Sequence, residues 1–141
     1  MTEITEEQAR TIIDTALQTG ADKGFKPLSV VVLDAGGHVK AFLRQDGAAP
    51  GRFAVAHGKA YGAVMLGMPG SAQMARAESQ AYFMSAVNGV FGGAVVPVPG
   101  GVLVEADGRV IGAVGITGDT SDNDAEAALA GIAAAGLTGR A

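Results

Sequence analysis

The chain has 141 residues, 48% hydrophobic and 17% charged, which is long and apolar enough for one globular domain over residues 1–141. A net charge of −4 and a pI near 5.0 argue against a nucleic-acid surface and against electrostatic attachment to a membrane. Cysteine is absent, which excludes disulfides, iron–sulfur clusters and a thiol nucleophile.

No basic stretch precedes an apolar run at the amino end, and no apolar run is long enough to span a bilayer. A cytoplasmic location is therefore expected. Glycine occurs 22 times, about double the average share of roughly 7%. It follows no period, so close backbone approaches are expected rather than a repeat array.

Thr5-Glu6-Glu7-Gln8 reads as a capping box. The Thr5 hydroxyl can accept the Gln8 N–H, and the Gln8 side chain can reach back to the Thr5 N–H. Ala9, Ile12, Ile13, Ala16 and Leu17 then recur at helical spacing. Gly20 or Gly24 ends this helix, and Pro27 cannot continue it. Leu28–Leu33 is a continuous apolar run, a buried strand. Asp34-Ala35-Gly36-Gly37 is a turn and His38–Leu43 the return strand, closed by Arg44-Gln45-Asp46-Gly47.

Pro50 to Gly67 reads as a helix with Phe53, Ala56, Ala60, Tyr61 and Val64 facing inward. His57 and Tyr61, four residues apart, share a face. After a break at Gly67–Gly70, Ser71 is expected to cap a third helix running to about Val87. Phe91 to Pro99 is a glycine- and proline-rich crossing, with a short edge strand at Ala94–Val98.

Gly100–Gly118 is the central hairpin. Asp107-Gly108 between two apolar runs is a strong signal for a type I′ turn, whose central residues both need φ > 0. Val102, Val104 and Ala106 share one face, Leu103 and Glu105 the other. Gly112 and Gly115 lie inside the return strand and imply close packing by a helix, a ligand or another chain. Ser121 is the expected N-cap of the last helix, with Asp122, Asp124 and Glu126 at its positive end. Ala125, Ala128, Leu129, Ile132 and Ala133 form its buried stripe. Hairpin-connected strands make the sheet antiparallel, so the class is α+β with helices packed on the sheet.

Few residues stand out for chemistry. Asp34 and His38 hold the two ends of one tight turn, where an aspartate usually accepts turn N–H groups. His57 is the better ligand candidate, on a helix with Tyr61 and Lys59 nearby. Asp119, Asp122 and Asp124 lack the glycine and distal glutamate of a calcium loop, so helix capping explains them. Lys59 is the only charged residue between Arg52 and Arg76, and it follows Gly58. It is expected to be partly buried and paired with Asp34, with Asp46 or with an acidic ligand.

Val32–His38, Arg44–Ala48 and Gly58-Lys59-Ala60 resemble the GlcG/HbpS haem-binding family. So do Gly100-Gly101-Val102, Gly108–Gly118 and the acidic entry at Asp122–Asp124. The resemblance runs in order along nearly the whole chain. It implies a profilin-like fold of about five antiparallel strands, assembled as dimers up to octamers, and haem or a related small ligand held near a subunit interface. The first helix carries no histidine, where some members place an axial ligand. The candidates left are His57, Tyr61, His38, Thr117 and nearby methionines, with Phe53, Gly36, Gly37 and Arg44 shaping the pocket. A rival reading takes Asp34, His38, Asp46 and Lys59 as acid–base groups and Arg44 as an anion holder. That set would suit isomerisation, hydration or elimination on a carboxylate substrate.

Overall fold

The computed structural model describes residues 2–141. Ten elements follow one another: α1 (Glu6–Asp22), β1 (Ser29–Asp34), β2 (Val39–Arg44), α2 (Arg52–Leu66), α3 (Gly70–Ser79), α4 (Ala81–Val90), β3 (Gly101–Ala106), β4 (Arg109–Thr117), α5 (Ser121–Ala134) and β5 (Thr138–Arg140). The strands form one antiparallel sheet in the order β2-β1-β4-β3-β5. This is the expected α+β class.

Alternation along the strands divides the core in two. Val30, Val32, Val102, Val104, Val114 and Ile116 face α1 and α5. Val31, Leu33, Leu103 and Ala113 face Ala56, Ala60 and Ala63 of α2. The sheet is therefore covered on both faces, which suits the uninterrupted apolar run of β1.

The capping box of α1 forms as read, with Gln8 N donating to Thr5 Oγ1 at 3.0 Å and Thr5 N to Gln8 Oε1 at 3.0 Å. The helix ends in a Schellman motif: Phe25 N donates to Gly20 O and Gly24 N to Ala21 O, with Gly24 at φ +72°. In the central hairpin Asp107 and Gly108 take φ of +52° and +72°, as a type I′ turn requires. A bulge follows between Val104 and Glu105.

The glycines of β4 meet a helix and a neighbouring segment. A Cβ on Gly115 would stand 2.0 Å from Ala56 O, and one on Gly112 would stand 2.2 Å from Leu33 O. Helix–sheet packing thus accounts for Gly115, and the bulge lies at Gly112, the partner of Val104. Gly58 is likewise pressed against backbone, with Ala94 O 2.4 Å from where its Cβ would be.

Four local expectations change. The third helix divides at Gln80, whose φ/ψ of −141°/63° breaks the run into α3 and α4, and α3 starts from Pro69 rather than Ser71. Ala94–Val98 forms no strand; Val96 N donates to Gly58 O, which ties the segment to α2 instead of the sheet. The outer strand beside β3 is β5, after the last helix. Thr120, not Ser121, caps α5, accepting from Asn123 N at 3.2 Å, and this helix buries Asp124, Ala127, Ala128, Gly131 and Ile132 while Leu129 and Ala133 face out.

Candidate functional site

Helix α2 presents three different surfaces, and each one places sequence-predicted residues. Ala56, Ala60 and Ala63 lie on the sheet, where small side chains let the helix come close. Phe53, His57 and Tyr61, four residues apart, form a strip along the outer seam between α2 and the edge strand β2. Phe53 is 39% exposed and so is not the inward residue expected; Tyr61 is half-buried.

The strip is a continuous run of rings. Phe42 of β2 meets Phe53 edge-on at 4.8 Å between centroids. Phe53 leans on His57 at 5.6 Å, and His57 stacks on Tyr61 at 5.3 Å and 20°. Tyr61 meets Phe91 edge-on at 6.0 Å. Gly37 closes the far end: a Cβ there would fall 2.7 Å from Met65 Cε and 3.3 Å from Tyr61. Four of the chain's seven Phe and Tyr side chains gather here, which concentrates its largest apolar groups on one seam.

His57 sits in the middle of this run. Burial disfavours its charged form and lowers its pKa below the ordinary histidine range, so the ring is neutral at pH 7. Phe53 and Tyr61 take its two faces, which leaves the ring edge, where the nitrogen lone pair lies. Among the described residues neither ring nitrogen has a hydrogen-bond partner. A neutral, half-buried imidazole with an uncommitted lone pair beside an apolar surface is the donor that a haem iron takes.

Asp34 and His38 do meet. Asp34 Oδ1 accepts from Gly36 N and His38 N, both at 2.9 Å, and lies 3.1 Å from His38 Nδ1. The carboxylate can only accept, so this contact holds the proton on Nδ1 and leaves Nε2 as acceptor. Burial opposes ionisation of Asp34, but the His38 and Gly36 N–H groups and the His38 ring outweigh it and hold the carboxyl below its usual range. Gly36 packs against the His38 ring, and the turn adjoins the strip through Gly37.

The other candidates lie elsewhere. Arg44 is at the opposite end of the β1–β2 hairpin, paired with Ser29, and donates from Nη1 to Ala48 O at 3.3 Å. Asp46 and Arg44 together line a cleft of about 610 Å³ with Gly20, Phe25 and Pro27. Thr117 is buried and accepts from Arg52 Nη1 at 2.8 Å. A single protomer therefore does not assemble Asp34, His38, Arg44, Asp46 and Lys59 at one mouth.

Lys59 is buried and ion-paired, but its partner is neither Asp34 nor Asp46. Its Nζ donates to Asp124 Oδ2 and to Ile116 O, each at 3.0 Å, with side-chain exposures of 4% for Lys59 and 1% for Asp124. Asp124 Oδ1 also accepts from Asp119 N at 3.0 Å. Burial raises the Asp124 pKa, and the Lys59 ammonium opposes that rise. Asp124 is thus more than a helix-end charge: it is the counter-ion that carries Lys59 into the core. The sequence signal was available, since an isolated lysine in an apolar segment needs a buried carboxylate. Met65 follows Tyr61 by four residues on the same helix, but Phe42 and Phe91 carried no such signal, because only the fold brings them onto Phe53 and Tyr61.

An α+β sheet covered on both faces is a fold that has relatives. A family model described as haem-degrading, HbpS-like protein matches residues 4–133, and the chain belongs to that family. The Escherichia coli K12 protein GlcG is 34% identical over 118 residues, 81% of each chain. Among solved structures, HbpS is 28% identical with a TM-score of 0.82, over 94% of this chain and 90% of that one. A PduOC–haem complex shares the fold at 22% identity and a TM-score of 0.88, over 99% and 100% of the two chains.

Proposed function

We propose that this protein binds haem on the outer seam of α2, with His57 as an axial ligand. One observation carries the reading: a half-buried, neutral imidazole whose ring edge is uncommitted stands in a run of Phe42, Phe53, Tyr61, Phe91 and Met65. Bound haem supplies a redox-active iron. The chain's own part is to offer the nitrogen, bury the apolar macrocycle against the rings, and keep water off that face. The haem-degrading description of the family and the PduOC–haem complex support the same reading.

Hemin titration should give a saturable Soret shift at one haem per subunit, lost or altered in His57→Ala. Unsaturable binding, or the same spectrum in the variant, refutes the site. The pH dependence has a definite sign. Ligation needs the neutral ring, so affinity holds at pH 7–8 and falls only as pH drops through the lowered His57 pKa.

We further infer that the protein works as a homo-oligomer. The seam is open along one side, and α4 shows Tyr82 at 73% and Val90 at 77% exposure, an unusual display of large apolar groups. A second copy would cover such surface. The acid–base reading keeps one specific support, the Asp34–His38 pair with Nε2 outward, the orientation of a general base. Turnover of a carboxylate substrate lost in both Asp34→Asn and His38→Gln, with haem binding intact, would favour it.

A further inference from the structure

We propose that the first turn of α2, together with Ser29, Arg44, Arg52 and Thr117, is a carboxylate-binding subsite at the end of the ring-lined seam.

Three observations converge. The first is a stranded hydroxyl. Ser29 is fully buried, and its Oγ has no hydrogen-bond partner among the described residues. A buried polar atom without a partner is costly, and in native proteins it calls for an explanation. Strand alternation gives its direction: Val31 and Leu33 of the same strand face α2, so Ser29 does too.

The second is the row it belongs to. Ser29 pairs directly with Arg44 on one side and Thr117 on the other, so all three share the α2 face. Arg52, the first residue of α2, reaches down to the Thr117 hydroxyl at 2.8 Å. Neither Arg44 nor Arg52 is paired with a carboxylate among the described residues. Each guanidinium offers five N–H donors and spends only part of them on a neutral oxygen here.

The third is the helix end above the row. No side chain caps α2 at Gly51, and its first turn holds no acidic residue. Its N–H groups and the positive end of its dipole thus add to the two arginines. The nearby Asp119 carboxylate is already occupied by Lys26 N, Thr120 N and Asn123 Nδ2.

The subsite adjoins the seam, because Phe53 follows Arg52 and Phe42 lies two residues from Arg44 on the same face. A flat apolar ligand carrying carboxylates would lie along the rings and place its acid groups here. Assigning haem propionates to the subsite rests on the haem reading above; the anion site itself does not.

The test uses the full chain in two arms. In the first, sodium benzoate is titrated into haem-free protein and followed by amide NMR. Saturable shifts at Phe53, Ala54 and Thr117 are expected, with affinity about tenfold weaker in Arg52→Gln and in Arg44→Gln. Ser29→Ala should weaken benzoate binding while leaving the thermal midpoint unchanged or higher, since it deletes an unsatisfied group. Unsaturable shifts, or benzoate affinity in both arginine variants unchanged from the unsubstituted protein, overturn the subsite. In the second arm, hemin is compared with its dimethyl ester. Arg52→Gln should weaken hemin about tenfold and leave the ester unchanged. Equal binding of hemin and ester by the unsubstituted protein overturns the propionate assignment. Saturable benzoate binding without any hemin binding would refute the haem reading and uphold the subsite.

Discussion

Lys59 and Asp124 form a buried ion pair whose members depend on each other. Removing the lysine alone leaves a carboxylate in the core without its cation. Lys59→Met should cost about 3–5 kcal/mol in urea unfolding. Lys40→Met, on the exposed face of β2, should stay within about 0.5 kcal/mol. Lys59→Met combined with Asp124→Leu should recover most of the loss, because an apolar pair of similar volume avoids desolvating two charges. If Lys59→Met and Lys40→Met behave alike, the pair has no structural weight.

Asp119 sets a second expectation at this scale. Its carboxylate accepts from Lys26 N, from Asn123 and from Thr120 N, and its pKa falls to about 2. The folded state therefore holds the proton less tightly than the unfolded chain. This contribution is present above the unfolded carboxylate range and is lost as pH falls toward about 2. A thermal-midpoint series against pH should lose less over that acidic window in Asp119→Asn than in the unsubstituted protein.

Among the elements, α2 does most to organise the fold, because it comes so close to the sheet. Its contact depends on glycine in β4, where a side chain at position 115 would run into the Ala56 carbonyl. Gly115→Ala should destabilise by at least about 1–3 kcal/mol, since backbone must shift to admit a methyl group. Gly89 in α4 is the control, with nothing within 4 Å of an added Cβ. Gly89→Ala should stabilise by about 0.5–1 kcal/mol through helix propensity. Denaturation midpoints of the two variants should move in opposite directions.

At the scale of the molecule, β2 exposes Val39 and Leu43 together with its charges. The edge strand β2 carries Lys40 and Arg44, charges that discourage edge-to-edge pairing of sheets. Helix α4 exposes Tyr82 and Val90. Self-association should therefore run through α4 and the open seam, and light scattering at micromolar concentration should give a mass above the 14.0 kDa monomer. Tyr82→Glu with Val90→Glu should shift that mass toward the monomer and leave the far-ultraviolet circular dichroism unchanged. A monodisperse monomer before substitution refutes the assembly.

Local patterns determined the elements of this protein. The capping box at Thr5, the I′ turn at Asp107-Gly108 and the apolar run of β1 all act within a few residues, so the sequence alone specifies them. The apolar segment around Lys59 also pointed to its partial burial, and the fold buries it almost completely. The break at Gln80 and the placing of β5 were not legible, because nothing local distinguishes a continuous helix from two short ones or selects a three-residue edge strand. The site was legible only in part. His57, Tyr61 and Phe53 follow from four-residue spacing on one helix. Met65 continues that spacing at the end of the same helix, whereas Phe42 and Phe91 join only through packing between separate elements. Asp124 lies 65 positions after Lys59 in the chain, and only the tertiary structure decided that pairing. The physical reason is the low polarizability of the core: a buried ammonium selects whichever carboxylate the fold can bring within hydrogen-bond reach, and the topology of sheet and helices put Asp124 there instead of Asp34 or Asp46.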